Sequence, residues 1–294
     1  MGAASEKKEK VFVMKLGCMV HMDGRLMNGS IGEQFARLKE FGIPTCQLNC
    51  WKTDLFTDDA AAEINAACAE YGIEVSALWC GWAGPCHWNF YEGQTSLGLV
   101  PVAYRYDRMK ELMKGADFAR KIGVTDVITH CGYLPENPCS AEYAEIVTCL
   151  KYLVKYYASQ GCNFLFETGQ ETPVTLLRTI QEIGMENVGI NLDPANLILY
   201  GKGNPVDALD VFGQYVRNVH GKDGLYPTDG RRLGREVAMG QGKVNYPAFI
   251  KRLAEIGYDG PITIEREITG EQQSADIKMA CELLLKLFEE NGAL

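Results

Sequence analysis

Six times along this 294-residue chain a helix-period stretch stops at a glycine and a short apolar run begins at once. The junctions are Phe41-Gly42-Ile43, Tyr71-Gly72-Ile73, Ile122-Gly123-Val124, Gln160-Gly161-Cys162, Ile183-Gly184-Met185 and Ile256-Gly257-Tyr258. Glycine just past a helix end takes the left-handed backbone that closes the last turn. Reading the apolar runs as strands places them at 11–16, 45–49, 74–78, 126–129, 163–167, 189–192, 216–219 and 261–264. Most are short and nearly continuously apolar, as parallel strands covered on both faces are. Helices are expected between them. The stretch 58–70 has acids in its first turn, and 105–122 repeats Met109, Leu112, Met113, Ala116 and Ala119. The stretch 173–183 opens with Thr172 as a cap and Pro173 at the first helical position.

Alternating strands and helices imply right-handed βαβ units in a parallel sheet. Eight such pairs favour closure over an open sheet. The predicted fold is therefore α/β, a (β/α)8 TIM barrel, with 1–294 as one domain and 1–10 as a flexible N-terminus. A length of 294 residues suits a barrel of about 250 plus loop insertions. A hydrophobic share of 47% supplies a core that large. Two strand-to-helix connections are too long for plain turns. Residues 80–104 carry Trp82, Trp88, Phe90 and Tyr91; residues 221–245 carry six glycines and the arginines Arg231, Arg232 and Arg235. Both follow strand C-termini, the face where barrels of this kind build their sites.

The bulk chemistry excludes several classes. A net charge of -9 with scattered Lys and Arg builds no basic stripe for nucleic acid. No apolar run approaches the length that spans a bilayer, so no membrane partner is expected. The start, 1–10, is polar rather than signal-like. Eleven cysteines without framework spacing read as reduced thiols, and the expected location is cytoplasmic. The spacing of Cys46 and Cys50 matches neither a zinc knuckle nor a redox pair. A homo-oligomer is compatible with all of this.

Charged residues close the last four strands. The runs end Phe166-Glu167, Leu192-Asp193, Val219-His220 and Ile264-Glu265. A charge ending an apolar buried strand is unfavourable unless it is paired or bound. Four on neighbouring strands would converge on one rim, and three carboxylates with one imidazole make a divalent-metal site. Mn2+ suits this donor set best, and Mg2+, Co2+, Fe2+ or Zn2+ also fit. His130 closes the fourth strand and is a candidate general base or hydroxyl partner. Lys222, two residues past His220, could polarise a carbonyl or pair with an acid such as Asp223. Gln170 and Asn196 offer neutral hydrogen bonds to hydroxyls. Trp51, Trp79 and Trp82 could stack on a ligand's apolar face or pack in the core. His21 and His87 carry weaker signals, and Gly240-Gln241-Gly242 is too short for a phosphate cradle.

The runs Phe166-Glu167-Thr168-Gly169-Gln170-Glu171, Leu192-Asp193-Pro194-Ala195-Asn196, Val219-His220-Gly221-Lys222-Asp223 and Gly257-Tyr258-Asp259-Gly260-Pro261 with Ile264-Glu265 resemble the sugar phosphate isomerase/epimerase superfamily. This is the xylose-isomerase-like barrel group. The resemblance implies one metal ion, usually Mn2+, held by Glu167, Asp193, His220 and Glu265. It also implies that Glu167 and Glu265 lie on either side of a carbohydrate and can shuttle protons. Three positions depart from the ketose 3-epimerase pattern: Asn196 for a histidine, Pro173 for a glutamate and Tyr226 for an arginine. The His-x-Lys-Asp run is nearer to the inosose dehydratases. Endonuclease relatives need more histidines than the four present.

The expected activity is that of a metal-dependent sugar isomerase or epimerase, abstracting a proton next to a carbonyl through a metal-stabilised enediolate. A lyase of the same group stays open, either a dehydratase or an enzyme that cleaves a 3-keto-glycoside by β-elimination. So does a non-catalytic sugar-binding barrel.

Overall fold

In the computed structural model, which describes residues 13–24 and 29–294, ten strands follow one another along the chain. They are β1 (Lys15–His21), β2 (Thr45–Cys50), β3 (Glu74–Cys80), β4 (Asp126–Thr129), β5 (Asn163–Glu167), β6 (Val188–Leu192), β7 (Val216–Gly221), β8 (Asp223–Leu225), β9 (Arg235–Val237) and β10 (Pro261–Ile264). Eight of them close a barrel in the order β1-β10-β7-β6-β5-β4-β3-β2. Every pairing in the barrel is parallel, and β1 seals it against β10 from Lys15↔Pro261 to Cys18↔Ile264. Strands β8 and β9 form a separate antiparallel hairpin inside the long connection 221–245.

All six junction glycines adopt left-handed backbone, with φ between 66° and 78°. The helix Pro173–Ile183 has Thr172 as its cap, its side chain accepting from the Thr175 N–H. The helices expected at 58–70 and 105–122 run Asp58–Tyr71 and Val102–Lys121. The first strand needs correction. It runs on to His21 rather than ending at Leu16. Gly17 reads as a stop, yet it lies inside the barrel, where an added Cβ would come 2.8 Å from Thr45 Oγ1 and 2.9 Å from Thr263 Oγ1. It is a point of close strand approach rather than a break. Residues 11 and 12 of the expected strand, and the expected flexible segment 1–10, lie outside the described residues.

The main core fills the layer between strands and helices. A second, small apolar cluster lies apart from it: Met19, Ala77, Trp79, Ile128 and Leu165, with Trp51 packed on it. These come from β1, β3, β4 and β5. Other strands contribute amides instead. Gln47 of β2, Asn191 of β6 and Asn218 of β7 are all buried, and Gln47 donates to both asparagines. No described helix is long and apolar enough to cross a membrane.

The aromatic connection 80–104 is held by one arginine. Arg108, on the helix Val102–Lys121, is 1% exposed. Its Nη1 donates to Ser96 O (2.8 Å) and Gly98 O (2.6 Å), its Nη2 to Pro85 O (2.8 Å) and its Nε to Ala83 O (3.2 Å). The guanidinium also lies 4.0 Å over the Trp82 ring and 4.8 Å over Tyr104. A lysine, with one ammonium, cannot span these four acceptors. In Arg108→Ala the buried carbonyls lose their donor, so we expect a loss of about 3 kcal/mol. Thermal unfolding should show this as a fall of roughly 5–10 °C, and limited proteolysis should begin within 83–101. An unchanged melting temperature with no new cleavage would count against the clamp.

Candidate metal centre and cavity

Each of the four strand-end residues is delivered by a different barrel element. Glu167 is the last residue of β5, and His220 is the penultimate residue of β7. Asp193 follows β6 and caps the helix Pro194–Leu199, its Oδ1 accepting from the Asn196 N–H at 2.9 Å. Glu265 follows β10, and its N–H donates to Gly221 O at 3.1 Å. Donor atoms of Glu167, Asp193 and His220 all lie within 4.8 Å of one another. From His220 Nδ1 the distances are 3.3 Å to Glu167 Oε1, 3.7 Å to Asp193 Oδ2 and 3.2 Å to Glu265 Oε2. The Glu265 side chain is 11% exposed and the other three are at most 1% exposed.

This donor set fits a divalent cation. His220 Nδ1 and Asp193 Oδ2 are buried and make no hydrogen bond. Polar atoms so placed are rare unless something else satisfies them. The remaining polarity is already used. His220 Nε2 lies 2.8 Å from Gln47 Oε1, and Asn191 Nδ2 donates to Glu167 Oε2. Burial raises Glu167 to about 7, against the pull of His220. Burial alone would raise Glu265 too, but Lys222 and His220 together hold it well below the carboxylate range. Burial disfavours charge on His220 and Lys222, yet the surrounding carboxylates raise both well above their ordinary values. The field that holds protons on these cations is the field that attracts a metal ion.

The centre opens into a cavity of about 410 Å3. Of the residues singled out in the sequence, Glu167, Glu265, His130, Lys222, Asn196, Trp51 and Trp79 line it, as do His21 and Trp88. Lys222 does not pair with Asp223. Its Nζ lies 3.0 Å from Glu265, 3.1 Å from Glu267 and 3.5 Å from Asp193. Asp223 instead accepts the N–H groups of Gly224, Gly240, Gly242 and Val244, at 2.8–3.0 Å. The glycine run thus closes on a carboxylate, and a Cβ at Gly242 would lie 2.0 Å from Asp223 Oδ1.

Trp82 and Gln170 are not among the lining residues. Arg108 draws Trp82 into the core, where it is 2% exposed. Gln170 is buried and donates to Tyr200 OH at 3.0 Å. Arg231, Arg232 and Arg235 are exposed and also stand off the lining, with Arg231 over the Tyr91 ring. Of the three departures from the epimerase pattern, only Asn196 reaches the cavity. Pro173 starts a helix, and the Tyr226 hydroxyl donates to Gly201 O.

Sequence reading passed over Asn49, Tyr200 and Glu267, all on the wall. For Asn49 the signal was the inward alternation Thr45, Gln47, Asn49 along β2, which interrupts apolar residues with polar ones at period two. His130 sits between rings, 5.7 Å from Trp79 and 5.1 Å from Trp88. Burial, aided by Lys222, lowers it to about 3, so it is neutral. Its Nδ1 and Asn49 Oδ1 are buried without hydrogen bonds.

A family model described as a xylose isomerase-like TIM barrel matches residues 35–287. A solved xylose isomerase domain protein from Planctomyces limnophilus is 34% identical, with 96% of this chain and 100% of that one covered and a TM-score of 0.88. A solved D-tagatose 3-epimerase-like protein is 21% identical, covering 95% of this chain and 98% of its own at a TM-score of 0.72, which is a likeness of fold. An uncharacterized protein of Methanocaldococcus jannaschii is 29% identical over 154 residues, 48% of this chain; the match spans only 50% of that relative's length. Sugar epimerases and a dehydratase are among the other barrels that share the fold.

Elemental analysis of gently purified protein is expected to find about one divalent metal per chain, lost in Glu167→Gln and in His220→Ala. Metal content unchanged in both folded variants would remove the centre assigned to these residues.

Proposed function

The chain belongs to the xylose isomerase-like TIM barrel family, and on that basis we propose that it is a metal-dependent isomerase or epimerase of an unphosphorylated carbonyl sugar or cyclitol. The observation that carries this reading is the buried Glu167, Asp193, His220 and Glu265 cluster at the floor of a cavity walled by tryptophans. A divalent cation held by these four residues, Mn2+ by preference, would supply Lewis acidity toward a carbonyl oxygen.

The chain's own groups supply the rest. Glu167 and Glu265 are the proton carriers, removing a proton next to the carbonyl and returning it. Return to the other face of the same carbon epimerises it; return to the neighbouring carbon isomerises. Lys222, kept charged by Glu265, Glu267 and Asp193, stabilises negative charge as it grows on an oxygen. His130 is neutral and buried, and burial keeps its basicity low, so we place it as a hydrogen-bond partner of a hydroxyl alongside Asn49. Trp51, Trp79 and Trp88 offer an apolar wall for a sugar face. Among the described lining residues the one Lys or Arg is Lys222, already shared among three carboxylates.

The same proton abstraction becomes elimination when the adjacent carbon bears a leaving group. The dehydratase among the barrels sharing the fold makes a lyase the second reading.

A metal-loaded panel of ketoses, inososes and 3-keto-glycosides in D2O tests this. One substrate should incorporate solvent deuterium at a single carbon, and Glu265→Gln should slow the exchange by about 10²-fold or more. Trp88→Ala should raise KM on the order of 10-fold, the scale of a lost ring contact. Joint replacement of Arg231, Arg232 and Arg235 by Gln should leave KM nearly unchanged. Tight sugar binding with no exchange would favour a binding barrel. A triple-arginine variant that loses a preferred sugar phosphate would reverse the substrate assignment.

A further inference from the structure

Gln47 stands in the middle of β2 with no solvent exposure, and its amide touches three residues on two other strands. Its Nε2 lies 3.0 Å from Asn191 Oδ1 and 3.5 Å from Asn218 Oδ1. Its Oε1 lies 2.8 Å from His220 Nε2. The chain continues outward on both asparagines. Asn191 Nδ2 meets Glu167 Oε2, and Asn218 Nδ2 lies 3.0 Å from Asp126 Oδ2. Asp126 is fixed in turn by Asn163 Nδ2 at 2.7 Å and Arg217 Nε at 3.3 Å.

The polarity of this network can be deduced from its ends. A carboxylate bound to a cation, as Glu167 is in the metal-bound centre and Asp126 is beside Arg217, accepts only, whereas a primary amide has one donating and one accepting end. Asn191 must turn its NH2 toward Glu167 and so present its carbonyl to Gln47. Asn218 must do the same because of Asp126. Two carbonyl oxygens then face one end of Gln47, which has to be its NH2. The Gln47 carbonyl is left facing His220. A carbonyl cannot donate, so His220 Nε2 must carry hydrogen. In the neutral ring the lone pair is then on Nδ1, the atom that faces Glu167, Asp193 and Glu265. Reversing any one amide sets two donors or two acceptors against each other in a dry interior, which is unfavourable.

We infer that Gln47 is a positioning residue for the metal centre. It relays the acceptor character of Glu167 and Asp126 through two asparagines and fixes His220 as the Nε2–H tautomer with Nδ1 as the ligand atom. One amide thereby orients the imidazole and, through Asn191, the Glu167 carboxylate. The inference rests on the reading that this cluster holds a divalent cation. Outer hydrogen bonds of this kind commonly set ligand orientation and are worth roughly 10–100-fold in metal affinity.

The test uses the full chain with 15N-labelled histidine, titrated with 113Cd2+. Four histidines keep the long-range proton–nitrogen spectrum readable. In the wild-type chain, cadmium coupling is expected at His220 Nδ1, with the proton on Nε2. Gln47→Leu removes the acceptor and both donor contacts, so its affinity in a chelator competition should fall about 10–100-fold. Gln47→Glu keeps an acceptor for Nε2–H but sets it against both asparagine carbonyls, so it should retain cadmium on Nδ1 at lowered affinity, a ligand atom that a merely space-filling role would not preserve. Cadmium on Nε2 in the wild-type chain would overturn this inference while leaving the metal centre intact. Failure of the wild-type chain to bind any divalent cation would overturn both. Should Gln47→Leu not fold, the wild-type and Gln47→Glu spectra still decide; if it folds with unchanged affinity and unchanged Nδ1 ligation, the inference is wrong.

Discussion

Charge removed from water must be answered by other charge or by hydrogen bonds, and four strand ends of this barrel place that demand at one point. The surrounding arrangement follows from meeting it. Three of the four groups have one polar atom tied to the scaffold and another turned inward. Glu167 gives Oε2 to Asn191, Asp193 gives Oδ1 to the Asn196 N–H, and His220 gives Nε2 to Gln47. Glu265 differs, because Lys222 serves it from the cavity side. Lys222 in turn is tolerable in a buried wall only because Glu265, Glu267 and Asp193 all face it. Removing one partner from such a set strands the others, so the set stands or falls together.

The fold was largely legible because its signals are periodic and local. Left-handed glycines repeat, apolar runs alternate with amphipathic stretches, and a charge that ends an apolar run announces itself. The amide half of the barrel interior was not legible. Gln47 and Asn191 sit between apolar neighbours and Asn218 beside Arg217, and an amide in a strand carries no hint of its partner. Those partners lie 144 and 171 residues away in sequence for the two asparagine contacts of Gln47. Trp82 failed for a related reason. An aromatic residue in a long loop reads as part of a rim, and only the arrival of Arg108 from the following helix turns it inward. Gly17 shows the same ambiguity on a smaller scale, since close packing and chain reversal both select glycine.

A division of labour runs across the barrel's inner surface. Met19, Ala77, Ile128 and Leu165 provide apolar filling beneath Trp51 and Trp79. Gln47, in register with Met19 and Ala77, starts a connected network of amides and carboxylates that reaches from the strand-end cluster to Asp126 and Arg217. A substrate entering the mouth therefore meets an apolar wall beside a charged one. That asymmetry suits a molecule with a hydrocarbon face and an oxygen-rich edge.

The Arg108 clamp has a bearing on how this family member can diversify. All four of its hydrogen bonds end on main-chain carbonyls, those of Ala83, Pro85, Ser96 and Gly98. Main-chain acceptors persist whatever side chains the loop carries. The loop can therefore exchange residues such as Trp88, which faces the cavity, without losing its path, while the buried charged groups remain at the strand ends. Scaffold shape and ligand preference are thus written in separable parts of the chain. A library randomised at wall positions of this loop, with Arg108 kept, would explore new substrates on an unaltered frame.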